Sequence, residues 1–341
     1  MVEHNKINIG VIGCGYWGPN LIRNFYNLPQ CKMALACDLD EKKLARMQGL
    51  YPNISVTQDV EELLNSDVAA IGIATPVNTH FSLAKACLNA GKHVLIEKPI
   101  TRSSAEAREL IALANEKNRV LMVGHTFEYT ASVNKIKEIV ESGELGDILY
   151  INSVRVNLGL LQPDINVIWD LAPHDLSIIL YVLGKTPTSV NAQGLAHFRK
   201  HIHDVAFTSL KFGDETVAFV HTSWLDPNKL RKMVFVGSKK MLVYDDISQN
   251  EKIKIYDKGV EAPAYYDTYA EFHFAYRYGD IYIPRVEQHE PLRTECAHFI
   301  DCINNGDTPK SDGYSGLRVI KILEAANESL QQNGAAVAIN L

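Results

Sequence analysis

Residues 6–18, KINIGVIGCGYWG, constrain this chain more than any other stretch: an apolar, strand-like run enters Gly13, Gly15 and Gly18 at G-x-G-x-x-G spacing. Each glycine answers a separate requirement of a dinucleotide site. Gly13 makes the tight turn, Gly15 lets the backbone approach a pyrophosphate, and Gly18 lets the following helix pack on the strand. That helix offers unpaired N–H groups and the positive end of its dipole to an anion. Pro19 suits its first turn, where no amide hydrogen is missed. A glycine-rich turn without a ligand is the bland alternative, so the surrounding pattern has to decide.

That pattern is alternation. The apolar run 33–37 (MALAC) ends at Asp38, twenty residues after Gly18. An acid there can accept both hydroxyls of an adenosine ribose and repels a 2′-phosphate, which favours NAD over NADP. Asp38 can also be read as a helix cap, although Asp40 is the better cap candidate. Strand-like runs at 54–57, 68–74, 93–97 and 120–124 then alternate with helical runs at 60–65, 79–90 and 103–117. Strands apolar on both faces, separated by helices, imply a parallel sheet covered on both sides. Ligands of such sheets sit beyond the carboxyl ends of the strands, which directs attention to TPVNTH at 75–80, EKP at 97–99 and HTFEYT at 125–130. Lys98 stands out, because a cation at the end of a buried strand needs a partner or a task, unless it simply reaches solvent.

Beyond residue 127 the texture changes. A helix at 132–142 precedes runs of alternating apolar residues at 148–156, 189–197, 205–212, 216–222, 232–236 and 240–244, with two closing helices at 288–305 and 315–332. Short turns such as Gly213-Asp214 indicate a largely antiparallel sheet. The expected fold class is therefore α/β: a doubly wound parallel sheet over residues 1–127, then an α+β domain with an open, mostly antiparallel sheet over 128–341, whose last helix can return to the first domain. WDLAPHD at 169–175 places Asp170 and His174 four apart, on one face of a helix. Pro173 puts that pair near the helix start, where a carboxylate can fix an imidazole that takes a proton from a hydroxyl. An Asp cap beside a surface His fits the same spacing. His197, His201 and His203 read as a solvated turn without a metal set. The aromatic residues between 265 and 282 suit base stacking, a subunit interface or a sheet edge.

Composition excludes other classes. A net charge of -6 over 341 residues argues against nucleic acid as a partner. No apolar run approaches the ~18 residues of a membrane span, and the first residues lack the pattern of a signal peptide. Six scattered cysteines without a C-x-x-C read as reduced thiols of a cytoplasmic protein, and no metal site is expected.

Four motifs in order carry a resemblance over essentially the whole chain. The G-x-G-x-x-G, the A-T-P-x-x-x-H of 74–80, the EKP of 97–99 and the D-x-x-x-H of 170–174 together resemble the Gfo/Idh/MocA oxidoreductases. The resemblance implies NAD as cofactor, a small-molecule substrate and a homodimer or homotetramer built on the open sheet face. It implies Lys98 as the lysine beside nicotinamide and substrate hydroxyl, His174 as acid/base and Asp170 as its substrate-orienting companion, with Thr75, Pro76, His80 and Glu97 lining the cofactor. Tyr16 and Trp17 in the glycine turn join the cofactor candidates, and Tyr129, Arg155 and Trp169 the substrate candidates. Tyr129 departs from the Asn or Arg that many relatives carry in that segment. Within the family, the patterns around 125–130, 169–178 and 290–326 look closest to members acting on nucleotide-linked amino sugars. That likeness implies oxidation, at C3, of UDP-N-acetylglucosamine or its uronate to the keto sugar. A free polyol or sugar dehydrogenase and a non-catalytic NAD(H)-binding regulator are the alternatives.

Overall fold

The computed structural model describes residues 6–261 and 275–340. Its contacts divide the chain into two units, Met1–Thr130 with His289–Lys321, and Ala131–Gln288 with Ile322–Leu341.

The first unit is built on six strands: β1 (Ile7–Ile12), β2 (Cys31–Cys37), β3 (Ser55–Thr57), β4 (Ala70–Ile73), β5 (His93–Glu97) and β6 (Leu121–Gly124). They lie in the order β3-β2-β1-β4-β5-β6, and every pairing is parallel. Such an order reverses direction beside β1, which opens a crevice at the carboxyl ends of β1 and β4. The connecting helices are α1 (Gly18–Asn27), α2 (Glu41–Leu50), α3 (Val60–Leu64), α4 (His80–Asn89) and α5 (Ser104–Glu116). Three of them are capped as the sequence dictates: Asp40, Asp59 and Ser103 accept N–H bonds from Lys42, Glu61 and Glu106.

Residues 289–321, expected with the second domain, belong to this first unit. The reason is hydrophobic: α8 (Pro291–Asn305) buries Leu292, Cys296, Phe299 and Ile300 in the same core as Ile9, Leu21, Phe25 and Met47. The rings of Phe25 and Phe299 lie 6.4 Å apart, and Arg23 and Asn24 of α1 bond Glu290 at the head of α8.

Among the described residues the second unit carries a nine-stranded sheet. Its strands are β7 (Ile148–Leu158), β8 (Ser189–Leu195), β9 (Val205–Phe212), β10 (Thr216–Ser223), β11 (Leu225–Gly237), β12 (Met241–Asp245), β13 (Ile253–Glu261), β14 (Ala275–Tyr282) and β15 (Val337–Ala338). The order is β14-β13-β12-β11-β7-β10-β9-β8-β15, antiparallel throughout except where β7 meets β10. The helices α6 (Ala131–Glu141) and α7 (Val167–Leu183) belong to this unit, as does the carboxyl half of α9 (Gly313–Gln331). The strands β13, β14 and β15 are additions to the sequence expectation. In β13, Ile253 and Ile255 are buried at period 2, but two short alternations beside an aromatic run give a weak signal. β14 is an edge strand, with Tyr276 and Tyr278 exposed; Tyr265, Tyr266, Tyr269, Phe272 and Phe274 lie outside the described residues. All six cysteines are free and buried. Among the described residues no helix is long and apolar enough to cross a membrane.

Candidate functional site

The glycine turn has the geometry its chemistry requires. Gly13 has φ +97°, and a Cβ there would lie 2.6 Å from the Ala74 carbonyl oxygen, so β1 and β4 close on each other only through a glycine. A Cβ on Gly18 would stand 1.7 Å from the Gly13 oxygen, which is how tightly α1 is drawn onto the turn. A Cβ on Gly15 would meet nothing within 4 Å. The fold itself leaves Gly15 free of neighbours, and the space a side chain would fill is the space a pyrophosphate needs.

Asp38 stands at the end of β2 with its side chain 11% exposed. Its Oδ2 accepts the Cys14 N–H at 2.7 Å and its Oδ1 the Asp40 N–H at 2.9 Å, with the Lys43 ammonium 3.6 Å away. The carboxylate is thus pinned against the glycine turn while lone pairs remain for ribose hydroxyls. Asp40, not Asp38, caps α2. Tyr16 in the turn and Leu39 beside Asp38 are 94% and 84% exposed. Both are large side chains left exposed at the strand ends. Trp17 packs against the core under the turn.

The turns after β4 and β5 are tied together by His80. Its ring is buried, with Nδ1 2.9 Å from the Pro99 carbonyl oxygen and Nε2 2.8 Å from that of Thr75; burial pushes its pKa down. Thr75 Oγ1 also accepts the Thr79 hydroxyl at 2.7 Å, while Pro76 is exposed. His80 therefore holds the two backbone turns that flank Lys98, with both ring nitrogens facing the chain.

Lys98 is half-buried and follows Glu97, whose carboxyl burial pushes up to about 7 against the opposing charge of Lys98. A second acid shares this interior. Glu295 of α8 is 0% exposed, its Oε2 accepts the Thr126 hydroxyl at 2.8 Å, and burial followed by the charge of Glu97 holds it well above the usual carboxylate range. Glu295 has no mark in the sequence, since one Glu in an amphipathic helix looks like any solvated side chain.

On the second unit, α7 opens earlier than the proline rule suggests. Asn166 is the N-cap, its side chain accepting the Trp169 N–H at 3.1 Å, so Pro173 lies inside the helix and not at its start. Pro173 costs the helix one backbone bond, to the Trp169 carbonyl, yet Asp170 and His174 still share a face one turn apart. Asp170 Oδ2 accepts the indole N–H of Trp224 at 2.9 Å, and Trp224 is fully buried between β10 and β11. This indole is a second residue the sequence pattern does not reveal. His174 is half-buried and Trp169 nearly buried.

Arg155 and Tyr129 are each held by partners inside the protein. Arg155 Nε and Nη2 grip Asp175 at 2.6 and 3.2 Å in a buried pair that also takes the Ser153 hydroxyl. The pair locks β7 to α7 immediately after His174. Tyr129 is 2% exposed, its hydroxyl 3.0 Å from Ser311 Oγ, with the Lys310 ammonium over its ring. In the turn 196–204, His197 is not simply solvated: its Nδ1 lies 2.7 Å from Asp204 Oδ1. Asp204 also accepts two backbone N–H groups, and against its burial the His197 side-chain bond, followed by these two, pulls its carboxyl below the usual range.

Comparison with known proteins adds a lineage to this geometry. A model described as "Oxidoreductase family, NAD-binding Rossmann fold" (GFO_IDH_MocA) matches residues 7–125, and one for the GFO/IDH/MocA C-terminal domain matches residues 133–243. The chain is 29% identical to a UDP-N-acetylglucosamine 3-dehydrogenase of Acidithiobacillus ferrooxidans over 73% of this chain and 77% of that one. A solved structure of a protein of that name and organism superposes with a TM-score of 0.82 at 25% identity, covering 96% of this chain and 99% of the other. A myo-inositol 2-dehydrogenase of Thermotoga maritima is 25% identical over 96% and 97% of the two chains.

Proposed function

The chain belongs to the Gfo/Idh/MocA family of oxidoreductases and binds NAD, and from that premise we propose that it oxidises a secondary ring hydroxyl, at C3, of a nucleotide-linked N-acetyl sugar. The relative named a UDP-N-acetylglucosamine 3-dehydrogenase supports the substrate class, being similar in sequence over most of the chain and in fold over nearly all of it. The relative named a myo-inositol 2-dehydrogenase favours the second reading, a free polyol as substrate.

Bound NAD supplies the hydride acceptor. Gly13, Gly15 and Gly18 admit its pyrophosphate and Asp38 its adenosine ribose. His174 takes the proton of the substrate hydroxyl, Asp170 orients the sugar, and the Lys98 ammonium lowers the energy of the alkoxide as it develops. The observation that supports the role of Asp170 is its bond to Trp224: a carboxylate in the first turns of α7 is pinned by a buried indole one helical turn from His174. Tyr129 and Arg155 serve the frame in this reading, not the substrate. The same reading places the protein in the cytoplasm, consistent with six free thiols, and assembles it into dimers or tetramers.

The test is a panel of UDP-, dTDP- and free sugars with NAD, following reduced cofactor in the presence of a keto-group trap, because oxidation of an alcohol by NAD runs uphill. Reduction of NAD with a UDP-N-acetyl sugar is expected. Turnover of free inositol or glucose, with none of the nucleotide sugars, refutes the substrate class and leaves the family intact.

A further inference from the structure

β6 ends at Gly124, and the chain passes through His125 into a single 3-10 turn, Thr126–Tyr129. His125 is 1% exposed, and among the described residues neither Nδ1 nor Nε2 has a hydrogen-bond partner. A neutral imidazole carries one N–H and one lone pair, and interiors rarely leave both dry and unmatched. Burial, then the charges of Lys98 and Arg318, push this ring down to about 3, so it is neutral at physiological pH.

The register places His125 at the edge of the sheet. β5 and β6 are parallel, with Glu97 opposite Gly124, so Lys98 and His125 are the next residues out at one edge of the sheet. Asp38 and the glycine turn form the half of this fold that takes adenosine and pyrophosphate. The ends of β4, β5 and β6 form the half that takes the nicotinamide mononucleotide. The polar substituent of a nicotinamide ring is its carboxamide, which offers both a carbonyl acceptor and an N–H donor. Either nitrogen of a neutral imidazole therefore finds a match there.

We propose that His125 is a cofactor-binding residue that hydrogen-bonds the nicotinamide carboxamide through one nitrogen of its neutral, buried ring. Its role is to fix the rotation of the nicotinamide at the strand edge beside Lys98. The proposal uses NAD binding alone and stands whichever sugar is the substrate.

Binding of NAD and of ADP-ribose, which lacks the nicotinamide, separates this role from a structural one. By calorimetric titration, His125→Phe should weaken NAD about tenfold, the scale of one hydrogen bond, and leave ADP-ribose binding unchanged; His125→Asn should recover part of the loss. In the wild-type protein, the His125 imidazole ¹⁵N signals should move on addition of NAD and not of ADP-ribose. Equal losses for both ligands, no loss for either, or ring signals that respond to ADP-ribose alone would overturn the assignment. Should the phenylalanine variant not fold, the wild-type ¹⁵N response decides by itself.

Discussion

Gly15→Ala and Gly18→Ala should fail in opposite ways, although both alter the same turn. At Gly18 the new methyl would sit 1.7 Å from the Gly13 carbonyl oxygen, so backbone must move. Overpacking of this kind costs about 1–3 kcal/mol, which lowers the melting temperature of a domain of this size by roughly 3–10 °C. At Gly15 the methyl meets nothing within 4 Å, and the residue is not among the glycines held at positive φ. Without cofactor, Gly15→Ala should melt within about 1 °C of wild type or slightly higher, since the unfolded chain loses freedom. Its cost appears only with ligand: holding the pyrophosphate off the backbone forfeits a charge-assisted bond of about 1.5–3 kcal/mol, or roughly 10- to 100-fold in affinity. Thermal unfolding with and without NAD, together with calorimetric titration, reads both effects. A Gly15→Ala protein that binds NAD as wild type does, or that melts as low as Gly18→Ala without ligand, refutes the account of the turn.

Lys98→Met and His174→Asn should each lower kcat by about 10² to 10⁴ while NAD still binds, the usual scale for loss of a positioned acid, base or charge; wild-type steady-state rates in both would remove the mechanism. Trp224→Phe keeps an aromatic ring but deletes the N–H that holds Asp170 and leaves part of the buried indole space empty, so kcat/KM should fall by up to roughly 10- to 100-fold at temperatures well below a melting point lowered by about 1–3 kcal/mol of lost packing. Glu295→Gln tests the buried acid. Because the folded state raises the pKa of Glu295, ionisation favours the unfolded chain once pH passes the ordinary carboxylate value, and stability is lost with rising pH until the folded pKa is reached. The amide variant does not ionise, so its stability relative to wild type should grow as pH rises above the ordinary carboxylate range, with a slope of up to one proton, about 1.4 kcal/mol per pH unit. A pH-independent difference would show that Glu295 is charged in the folded protein.

The sequence is most legible where the backbone makes a local demand. Gly13, Gly15 and Gly18 are legible because no other residue makes that turn, and Asp40 because a cap acts within its own helix. The six parallel strands announce themselves as apolar runs between helices. The pairing of distant segments is not legible in this way. Glu295 looks solvated until α8 is packed into the first unit's core, and Trp224 has no local mark that it will hold Asp170. Arg155 and Tyr129 carry functional chemistry in their side chains, but Asp175 and Ser311, twenty and 182 residues away, engage them. Pro173 misplaces the start of α7 because the Asn166 cap outweighs a single lost backbone bond. Asp204 looks like one more charge in a basic turn, and its burial makes it the anchor of His197.

The central claim is that this protein removes hydride from C3 of a nucleotide sugar, and deuterium at that carbon tests it most directly. UDP-N-acetylglucosamine labelled with deuterium at C3 is incubated with NAD, the enzyme and a keto-group trap, and the reduced cofactor is weighed by mass spectrometry. Reduced cofactor one mass unit heavier, with the trapped sugar free of label at C3, is the predicted result. Reduced cofactor without the label would place the oxidation at another carbon, and no reduced cofactor with any nucleotide sugar in the presence of the trap would contradict the claim.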